Sequence, residues 1–289
     1  MKNKQVIITG GTDGIGAACA LAFSEKGADV TIVGRSEEKA DRIIQLSKNR
    51  KVSGSIRSFL ADFSSMHTSK ETARKIAKEV TQVDLLLHGV GILINKTEYT
   101  EEGVEKGFAV SYLSRFAFTE ELHRLDLLTP GTVMLNIAAS SPKVPSSLQL
   151  EFNDLEQVKT RVGLKSHGQA QLANDLFTAF AAVRYKITTV GYGPGSVDTS
   201  IRRELPKLLI LLMKPFFYFS TRKPEKVAEH FLDILAGELD LGKANFFNKN
   251  GRFPMAEFVA EPKRQADLLN VSHLILEQIT NRKNKTLNS

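Results

Sequence analysis

The chain has 289 residues, of which 42% are hydrophobic and 25% are charged, with one cysteine and a net charge of +7. This composition is ordinary for a folded protein, the length suits one large α/β domain, and a single cysteine excludes an intrachain disulfide. No run reaches the roughly 18 apolar residues of a membrane-spanning helix, and the start, MKNKQVIITG, lacks the long apolar region of a signal peptide. The basic residues are scattered rather than interleaved with aromatic ones, so we expect a cytoplasmic protein that binds no nucleic acid.

Short apolar runs rich in β-branched residues alternate with longer amphipathic stretches along the chain. Strands are predicted, in chain order, at 5–9, 29–34, 55–62, 83–89, 131–139, 186–193 and 243–248. Helices are predicted at 15–26, in the charged stretch after residue 34, and at 66–80, 101–128, 158–183 and 224–236. This alternation indicates one doubly wound Rossmann domain over 1–289, with a parallel sheet of about seven strands and helices on both faces. The polar residues 280–289 are expected to be disordered.

A glycine-rich segment, TGGTDGIG, joins the first predicted strand to the first predicted helix. Gly10, Gly14 and Gly16 leave the backbone open to a pyrophosphate, and the following helix presents free N–H groups and the positive end of its dipole. A glycine-rich triplet predicts little alone, but after the first strand of an alternating α/β chain it is typical of dinucleotide binding. The alternative is a tight turn that holds no ligand.

The end of the second predicted strand indicates which dinucleotide is bound. In dinucleotide-binding folds a carboxylate at this place holds the ribose 2′-hydroxyl of NAD. The sequence has VGRS instead, so no carboxylate repels a 2′-phosphate, and Arg35 is able to bind one through two hydrogen bonds. We therefore expect NADP(H) in preference to NAD(H). The alternative is that Arg35 is a solvated surface residue.

Several segments resemble the short-chain dehydrogenase/reductase family, and the resemblance covers nearly the whole chain. TGGTDGIG is similar to the family's TGxxxGIG, HGVG at 88–91 stands where the family has NNAG, and PGSVDT at 194–199 is similar to PGxVxT. GQAQLANDLFTAFA and QADLLNVSHLILEQIT resemble the retinol dehydrogenase-like branch. The resemblance implies a homo-oligomer. It also implies these cofactor-binding residues: Thr9, Gly10, Thr12, Asp13, Gly14, Ile15, Gly16, Arg35, Asp62, Gly89, Gly91, Gln171, Pro194, Gly195, Val197 and Thr199.

The four positions that carry catalysis in this family all differ in this chain. The usual asparagine, serine, tyrosine and lysine are replaced by Ser111, Ala139, His167 and Gln171. Ser140 lies one residue past the expected serine, and a one-residue slip on a strand turns a side chain to the other face unless a bulge intervenes. The candidate catalytic residues are therefore His167, as acid or base, followed by Ser140 and Ser111.

Histidine and glutamine form a chemically coherent replacement for the family's tyrosine and lysine. Histidine has a reference pKa of about 6.5, so His167 is able to act as a general acid or base without a neighbouring lysine. Gln171 carries no charge but still offers an amide to a ribose hydroxyl. The alternative is that both changes arose in a site no longer used. For His88, near the end of the fourth strand, a structural role is preferred to a place in the crevice.

An apolar insertion at 200–223 follows the sixth predicted strand, and in the resembled family this region covers the substrate. The insertion is strongly apolar from Leu208 to Phe219, with basic residues on either side. It is able to line a pocket for a hydrophobic ligand, to pack against the core or a partner subunit, or to touch a membrane surface through 205–220. We expect the first, with a hydrophobic small molecule as the substrate.

Three functions remain open from the sequence. The leading one is an NADP(H)-dependent oxidoreductase that acts on a hydrophobic carbonyl, alcohol or alkene, with His167 or a water in place of the tyrosine. The second is a non-redox enzyme, such as an isomerase, lyase or cyclase, that uses the same pocket. The third is a regulatory protein that binds NADP(H) without turnover.

Overall fold

The computed structural model describes residues 1–94, 96–143, 150, 164–197, 221–237 and 239–287. Its strands are β1 Gln5–Thr9, β2 Asp29–Gly34, β3 Ser55–Leu60, β4 Val83–His88, β5 Leu128–Ile137, β6 Thr188–Gly193, β7 Ala244–Asn248 and β8 Gly251–Phe253. They form one sheet in the order β3-β2-β1-β4-β5-β6-β7-β8. Neighbouring strands are parallel except β7 and β8. The doubly wound α/β fold predicted from the alternating pattern is confirmed.

The helices are α1 Gly14–Glu25, α2 Glu37–Asn49, α3 Met66–Ile76, α4 Lys106–Phe108, α5 Ser114–Arg124, α6 Leu164–Tyr185, α7 Pro224–Ala236, α8 Glu257–Ala260 and α9 Pro262–Leu287. A π-helical turn, Ala109–Leu113, joins α4 to α5. Serine hydroxyls cap the N-terminal ends of two helices, because the first N–H groups of a helix have no acceptor within it. Ser36 accepts from the Lys39 amide at the start of α2, and Ser65 accepts from the Thr68 amide at the start of α3.

Two apolar clusters, one on each face of the sheet, hold the helices in place. Side chains alternate between the two faces along a strand. Ile7 and Leu86 therefore join one cluster, with residues of α3, α5, α6 and α9. Ile8 and Leu87 join the other, with residues of α1, α2 and α7. Because both faces of β1 and β4 are covered, these strands read as continuous apolar runs in the sequence.

The sheet holds one strand more than predicted, and some boundaries differ from the predicted ones. β8 has only three residues, too few to show the periodicity from which strands are predicted. β5 begins at Leu128, so residues predicted to end a helix begin a strand. The tail predicted to be disordered from 280 is helical as far as Leu287, since nothing in TNRKNKTL is a glycine or proline that would end α9.

Two predictions concern residues outside the described part of the chain. They are the start of the helix predicted at 158–183, as far as residue 163, and the apolar insertion over 200–220. Within the part that is described, no helix is both long enough and apolar enough to cross a bilayer.

Helix α9 is anchored to the core along one face. Leu268 and Ile275 are buried in the cluster that contains α5 and α6. Between them, the Ser272 hydroxyl lies 2.7 Å from the buried Tyr112 hydroxyl. Leu274 faces away and keeps 54% of its surface exposed. The buried positions follow the spacing of one helical face, so docking of α9 depends on apolar burial.

Two leucine-to-alanine variants of α9, one at a buried position and one at an exposed position, test whether burial against the core stabilises the protein. Leu268→Ala removes a side chain that is fully buried and is expected to lower the free energy of unfolding by about 2–5 kcal/mol. Leu274→Ala removes the same atoms from an exposed position and is expected to change it by less than about 0.5 kcal/mol. Urea unfolding followed by circular dichroism measures both. Equal losses in the two variants would contradict the docking of α9.

Candidate active site

The strand order places a crevice at the carboxyl ends of β1 and β4. The chain runs outward from β1 to β3 and then returns to β4, so the connections after β1 and β4 turn to opposite faces of the sheet. In open parallel sheets, ligands bind at such a point of reversal. The glycine-rich turn follows β1, Arg35 follows β2, Asp62 follows β3, and the glycines of HGVG follow β4. Residues far apart in sequence therefore meet at one edge.

The glycine-rich turn lies directly against the loop after β4. Gly10 has a φ of +72°, and a side-chain carbon there would lie 2.7 Å from the Val90 amide nitrogen. A side-chain carbon at Gly16, at the start of α1, would lie 2.2 Å from the Gly10 carbonyl oxygen. Only glycine fits these two positions, which leaves the backbone of the turn open to a phosphate.

Thr9, one of the predicted cofactor-binding residues, lies at the end of β1, directly before the glycine-rich turn. Its side chain is fully buried and its hydroxyl lies 3.2 Å from Nδ1 of His88. Its carbonyl oxygen accepts from the Gly89 amide at 2.9 Å. The Thr9 side chain therefore lies in the core, and contact between Thr9 and the cofactor stays a prediction.

Asp13 places a carboxylate where the turn would receive a pyrophosphate. It is the residue before α1, its Oδ1 accepts from the Gly14 amide at 2.7 Å, and it forms an ion pair with Lys39 of α2. The carboxylate thus satisfies one of the free N–H groups at the start of α1. Lys39 was not singled out from the sequence, since only the packing of α2 beside the turn brings it near Asp13.

The remaining predicted cofactor residues lie around the same edge. Arg35 and Asp62 are exposed after β2 and β3, and Asp62 accepts from the Ser64 amide at 2.9 Å. Pro194, Gly195 and Val197 follow β6, and Val197 pairs with Arg222 in a short bridge. Thr12, Gly14 and Ile15 lie partly exposed in the turn itself. Thr199 lies outside the described residues.

His88 is a structural residue of the core. Its Nε2 lies 2.8 Å from the Thr119 hydroxyl, which itself donates to the Arg115 carbonyl at 2.9 Å. Since that hydroxyl has one hydrogen, Nε2 carries the ring proton and Nδ1 accepts from the Thr9 hydroxyl. Burial, and then the nearby Arg115 charge, hold the pKa of His88 well below its usual range. The ring is therefore neutral and both of its nitrogens are occupied.

His167 and Ser111 both lie against the backbone of Ile92, in the loop after β4. The Ser111 hydroxyl accepts from the Ile92 amide at 3.1 Å and donates to the Ile92 carbonyl at 3.3 Å. The Ile92 backbone also lies near enough to the His167 ring to oppose the lowering of its pKa. Ser111 belongs to the π-helical turn, and its own carbonyl accepts from Asn174 of α6 at 2.8 Å. The two predicted residues are thus brought together, although their chain positions are far apart.

One ring nitrogen of His167 lacks a partner. Among the described residues, its Nδ1 is the one buried side-chain polar atom without a hydrogen bond. Burial lowers the pKa of His167, and the Arg115 charge lowers it further. The neighbouring Ser166 hydroxyl donates to buried Glu105 at 2.7 Å, which fixes the start of α6. Gln171 is nearly buried one turn further along the same helix.

Ser140 does not replace the missing serine in the crevice. Its hydroxyl is buried and donates to Asp175 of α6, whereas Ala139, at the expected position, is exposed. A side-chain carbon at Gly193 would lie 2.3 Å from the Ser140 carbonyl oxygen, so Ser140 fits closely against β6. Burial raises the pKa of Asp175 to about 7, and the Ser140 hydrogen bond opposes the shift. The prediction of a catalytic Ser140 is corrected, because the slip by one residue turns it inward.

Arg115 is the residue of the site that sequence reasoning missed. It follows Ser111 by one helical turn and only 2% of its surface is exposed. Its guanidinium donates to the carbonyl oxygens of Val90 and Ile137, at 3.0 Å and 2.6 Å. Burial lowers the pKa of Arg115 to about 9, so the side chain is charged at neutral pH. The sequence feature that could have identified Arg115 is its position as the one charged residue in the run FAVSYLSRFAFT.

Comparisons with known proteins agree with this geometry. The family model described as short chain dehydrogenase matches residues 4–149, half of the chain. Retinol dehydrogenase 13 of Mus musculus is 28% identical over 85% of this chain and 75% of its own length. Polyprenol dehydrogenase of Homo sapiens is 26% identical over 70% of this chain and 63% of its own length. A short-chain dehydrogenase/reductase structure from Serratia marcescens, 20% identical, has a TM-score of 0.65 over 86% of this chain and 96% of its own. The chain therefore belongs to the short chain dehydrogenase family of oxidoreductases, in its retinol dehydrogenase-like branch.

Proposed function

We propose that the protein is an NADP(H)-dependent oxidoreductase of hydrophobic alcohols or carbonyl compounds, in which His167 carries the proton. The observation that carries this proposal is the buried Nδ1 of His167, which has no partner among the described residues. A polar atom buried without a partner costs stability, and it calls for an explanation such as a ligand. The proposal places the ring proton of neutral His167 on Nε2, so that Nδ1 is an acceptor, and an alcohol hydroxyl is a suitable donor to it.

The lowered pKa of His167 determines its form at neutral pH. Because burial and the Arg115 charge both disfavour the protonated ring, His167 is neutral at pH 7. A bound nicotinamide cofactor supplies or accepts the hydride. In oxidation, Nδ1 accepts the proton of the alcohol hydroxyl, and in reduction the protonated ring returns a proton to the carbonyl oxygen. The neutral ring favours oxidation at neutral pH, whereas reduction requires more acidic conditions.

The residues of the crevice fit a phosphorylated dinucleotide. The two glycine-only positions, Gly10 and Gly16, leave space beside the start of α1 for a pyrophosphate. Arg35 follows β2, and Lys39, which pairs with Asp13, lies in the first turn of α2, so two basic side chains are near the place of a 2′-phosphate. This charge supports NADP(H) over NAD(H).

The chemical class of the substrate is inferred from relatives and from composition. The two dehydrogenases compared above are named for retinol and polyprenol, which are largely apolar alcohols. The insertion at 200–223 has a matching apolar composition. Both observations support a hydrophobic alcohol, or the carbonyl compound derived from it.

Arg35 is expected to set the preference for NADPH. Arg35→Gln removes a charge that a 2′-phosphate would bind, so the dissociation constant of NADPH is expected to rise about tenfold or more, with that of NADH unchanged. Arg42→Gln, an identical change at an exposed position of α2, serves as the control. Isothermal titration calorimetry measures all three proteins. If wild-type protein binds neither dinucleotide at millimolar concentration, the redox function is wrong.

Asp13→Asn is expected to strengthen NADPH binding, whereas Arg35→Gln is expected to weaken it. The substitution removes a negative charge from the start of α1 and releases Lys39, while asparagine still caps the helix. NADPH is therefore expected to bind several-fold more tightly, as measured by the same calorimetry. Asp41→Asn, which removes a charge from the exposed face of α2, is expected to have no effect. Weaker binding in Asp13→Asn would mean that the carboxylate itself contacts the cofactor.

The pH dependence of turnover tests His167. With apolar alcohols and NADP⁺, kcat/KM is expected to be constant above pH ~6.5 and to fall only below the lowered pKa of His167, as the ring becomes protonated. His167→Phe is expected to reduce kcat by about a hundredfold or more without weakening NADPH binding. Product formed without any change in nicotinamide absorbance would favour the non-redox alternative. Cofactor binding with no reaction that depends on His167 would favour the regulatory one.

A further inference from the structure

The guanidinium of Arg115 lies beneath the floor of the crevice. Nε and Nη2 donate to the Val90 carbonyl, and Nη1 donates to the Ile137 carbonyl and to Oδ1 of Asn136. These bonds occupy four of the five N–H groups of the side chain. A side-chain carbon at Gly91 would lie 3.5 Å from Nη2 and 3.6 Å from the Ser111 hydroxyl oxygen. Gly91 therefore lies close to both the guanidinium and the Ser111 hydroxyl.

The charge of Arg115 has no counter-charge in the described part of the chain. Its acceptors are backbone carbonyls and the amide oxygen of Asn136, and burial alone shifts its pKa, with no carboxylate contributing. A buried charge without a partner is costly. Perturbed groups of this kind cluster at functional sites. The field of Arg115 therefore acts on whatever occupies the crevice above Gly91.

The nicotinamide half of the cofactor belongs on this side of the crevice. In doubly wound folds the pyrophosphate binds at the turn after the first strand and the adenosine ribose at the end of the second, so the other half lies across the point of reversal. In this chain that place is over the ends of β4 and β5, where Arg115 binds the carbonyl of Val90 in the loop after β4 and the carbonyl of Ile137 at the end of β5. Gln171, at the position of the family's lysine, contributes no charge there.

We infer that Arg115 is the cation of this active site and makes the crevice bind the reduced, uncharged nicotinamide in preference to the oxidised, positively charged one. The inference rests on the proposed binding of NADP(H) in the crevice. Both cofactor forms carry the same phosphates and adenosine, so the ratio of their dissociation constants isolates the interaction with the nicotinamide ring. A cation held close to that ring in a site poor in water raises the ratio of NADP⁺ to NADPH dissociation constants.

Calorimetric titration of wild-type protein and two variants with NADPH and NADP⁺ tests the inference. Wild type is expected to bind NADPH about tenfold or more tightly than NADP⁺. Arg115→Lys keeps the charge and is expected to keep that ratio. Arg115→Gln keeps hydrogen-bond donors but loses the charge, and its ratio is expected to approach one. Equal affinities in wild type, or an unchanged ratio in Arg115→Gln, would overturn the inference and leave Arg115 as a structural residue.

A further variant leaves the arginine in place, in case Arg115→Gln does not fold. The Ser111 hydroxyl oxygen and Nη2 lie 3.6 Å and 3.5 Å from the same point, that of a side-chain carbon at Gly91, so Ser111→Asp brings a carboxylate near the guanidinium. The ratio is then expected to fall toward one while Arg115 stays in place. Thermal unfolding of each variant confirms that it is folded before titration. A ratio that stays at the wild-type value in folded Ser111→Asp would count against the inference. Failure of wild type to bind either form would instead defeat the proposed function, and the two failures are thus distinguishable.

Discussion

The hydrogen bonds of Arg115 join the ends of two neighbouring strands to the helix that lies against them. Beyond the last pair of a parallel ladder, carbonyl oxygens have no strand partner and need donors. Arg115 supplies these donors to Val90 and Ile137 from within the core, where water is excluded. The loop after β4, the π-helical turn and the start of α6 are all arranged around this contact. The cost is a buried charge that no carboxylate among the described residues offsets.

Two histidines close to Arg115 show how the surroundings decide the role of one residue type. His88 has a hydroxyl at each ring nitrogen, Thr9 on one side and Thr119 on the other. His167 lies near the Ile92 backbone and has no partner at Nδ1 among the described residues. Burial lowers the pKa of both rings. Of the two, His167 alone keeps a buried ring nitrogen without a hydrogen bond to the described residues, and the proposed proton transfer uses that nitrogen.

The charges of the crevice are distributed differently from those of the family it belongs to. The positions of tyrosine and lysine hold His167 and Gln171, so positive charge no longer comes from α6. It comes from α5 through Arg115, one turn after the position of the family's asparagine. At the other end of the crevice, Asp13 brings a negative charge to the phosphate turn and Lys39 compensates it. Both changes alter the electrostatic potential of the crevice without altering the backbone that forms it.

Much of the fold was accessible from the sequence because it depends on local pattern. The apolar runs of β1 and β4 and the segment TGGTDGIG are contiguous, and their periodicity and glycines require no knowledge of neighbours. β8 was missed because three residues carry no periodicity. Polar composition predicted disorder from residue 280, whereas α9 continues to Leu287, because a polar composition does not prevent a helix from continuing once its earlier turns are docked through Leu268 and Ile275.

The sequence by itself determined the alternation of strands and helices, the phosphate turn and the absence of the family's tyrosine and lysine. Only the tertiary structure decided that Ser140 turns to Asp175, that Lys39 meets Asp13 and that Arg115 reaches Ile137. These pairs are 35, 26 and 22 residues apart in the chain. Whether a buried nitrogen or a buried charge finds a partner depends on groups that distant segments bring to it. Composition and spacing do not predict these contacts, because distant residues come together only once the sheet has formed.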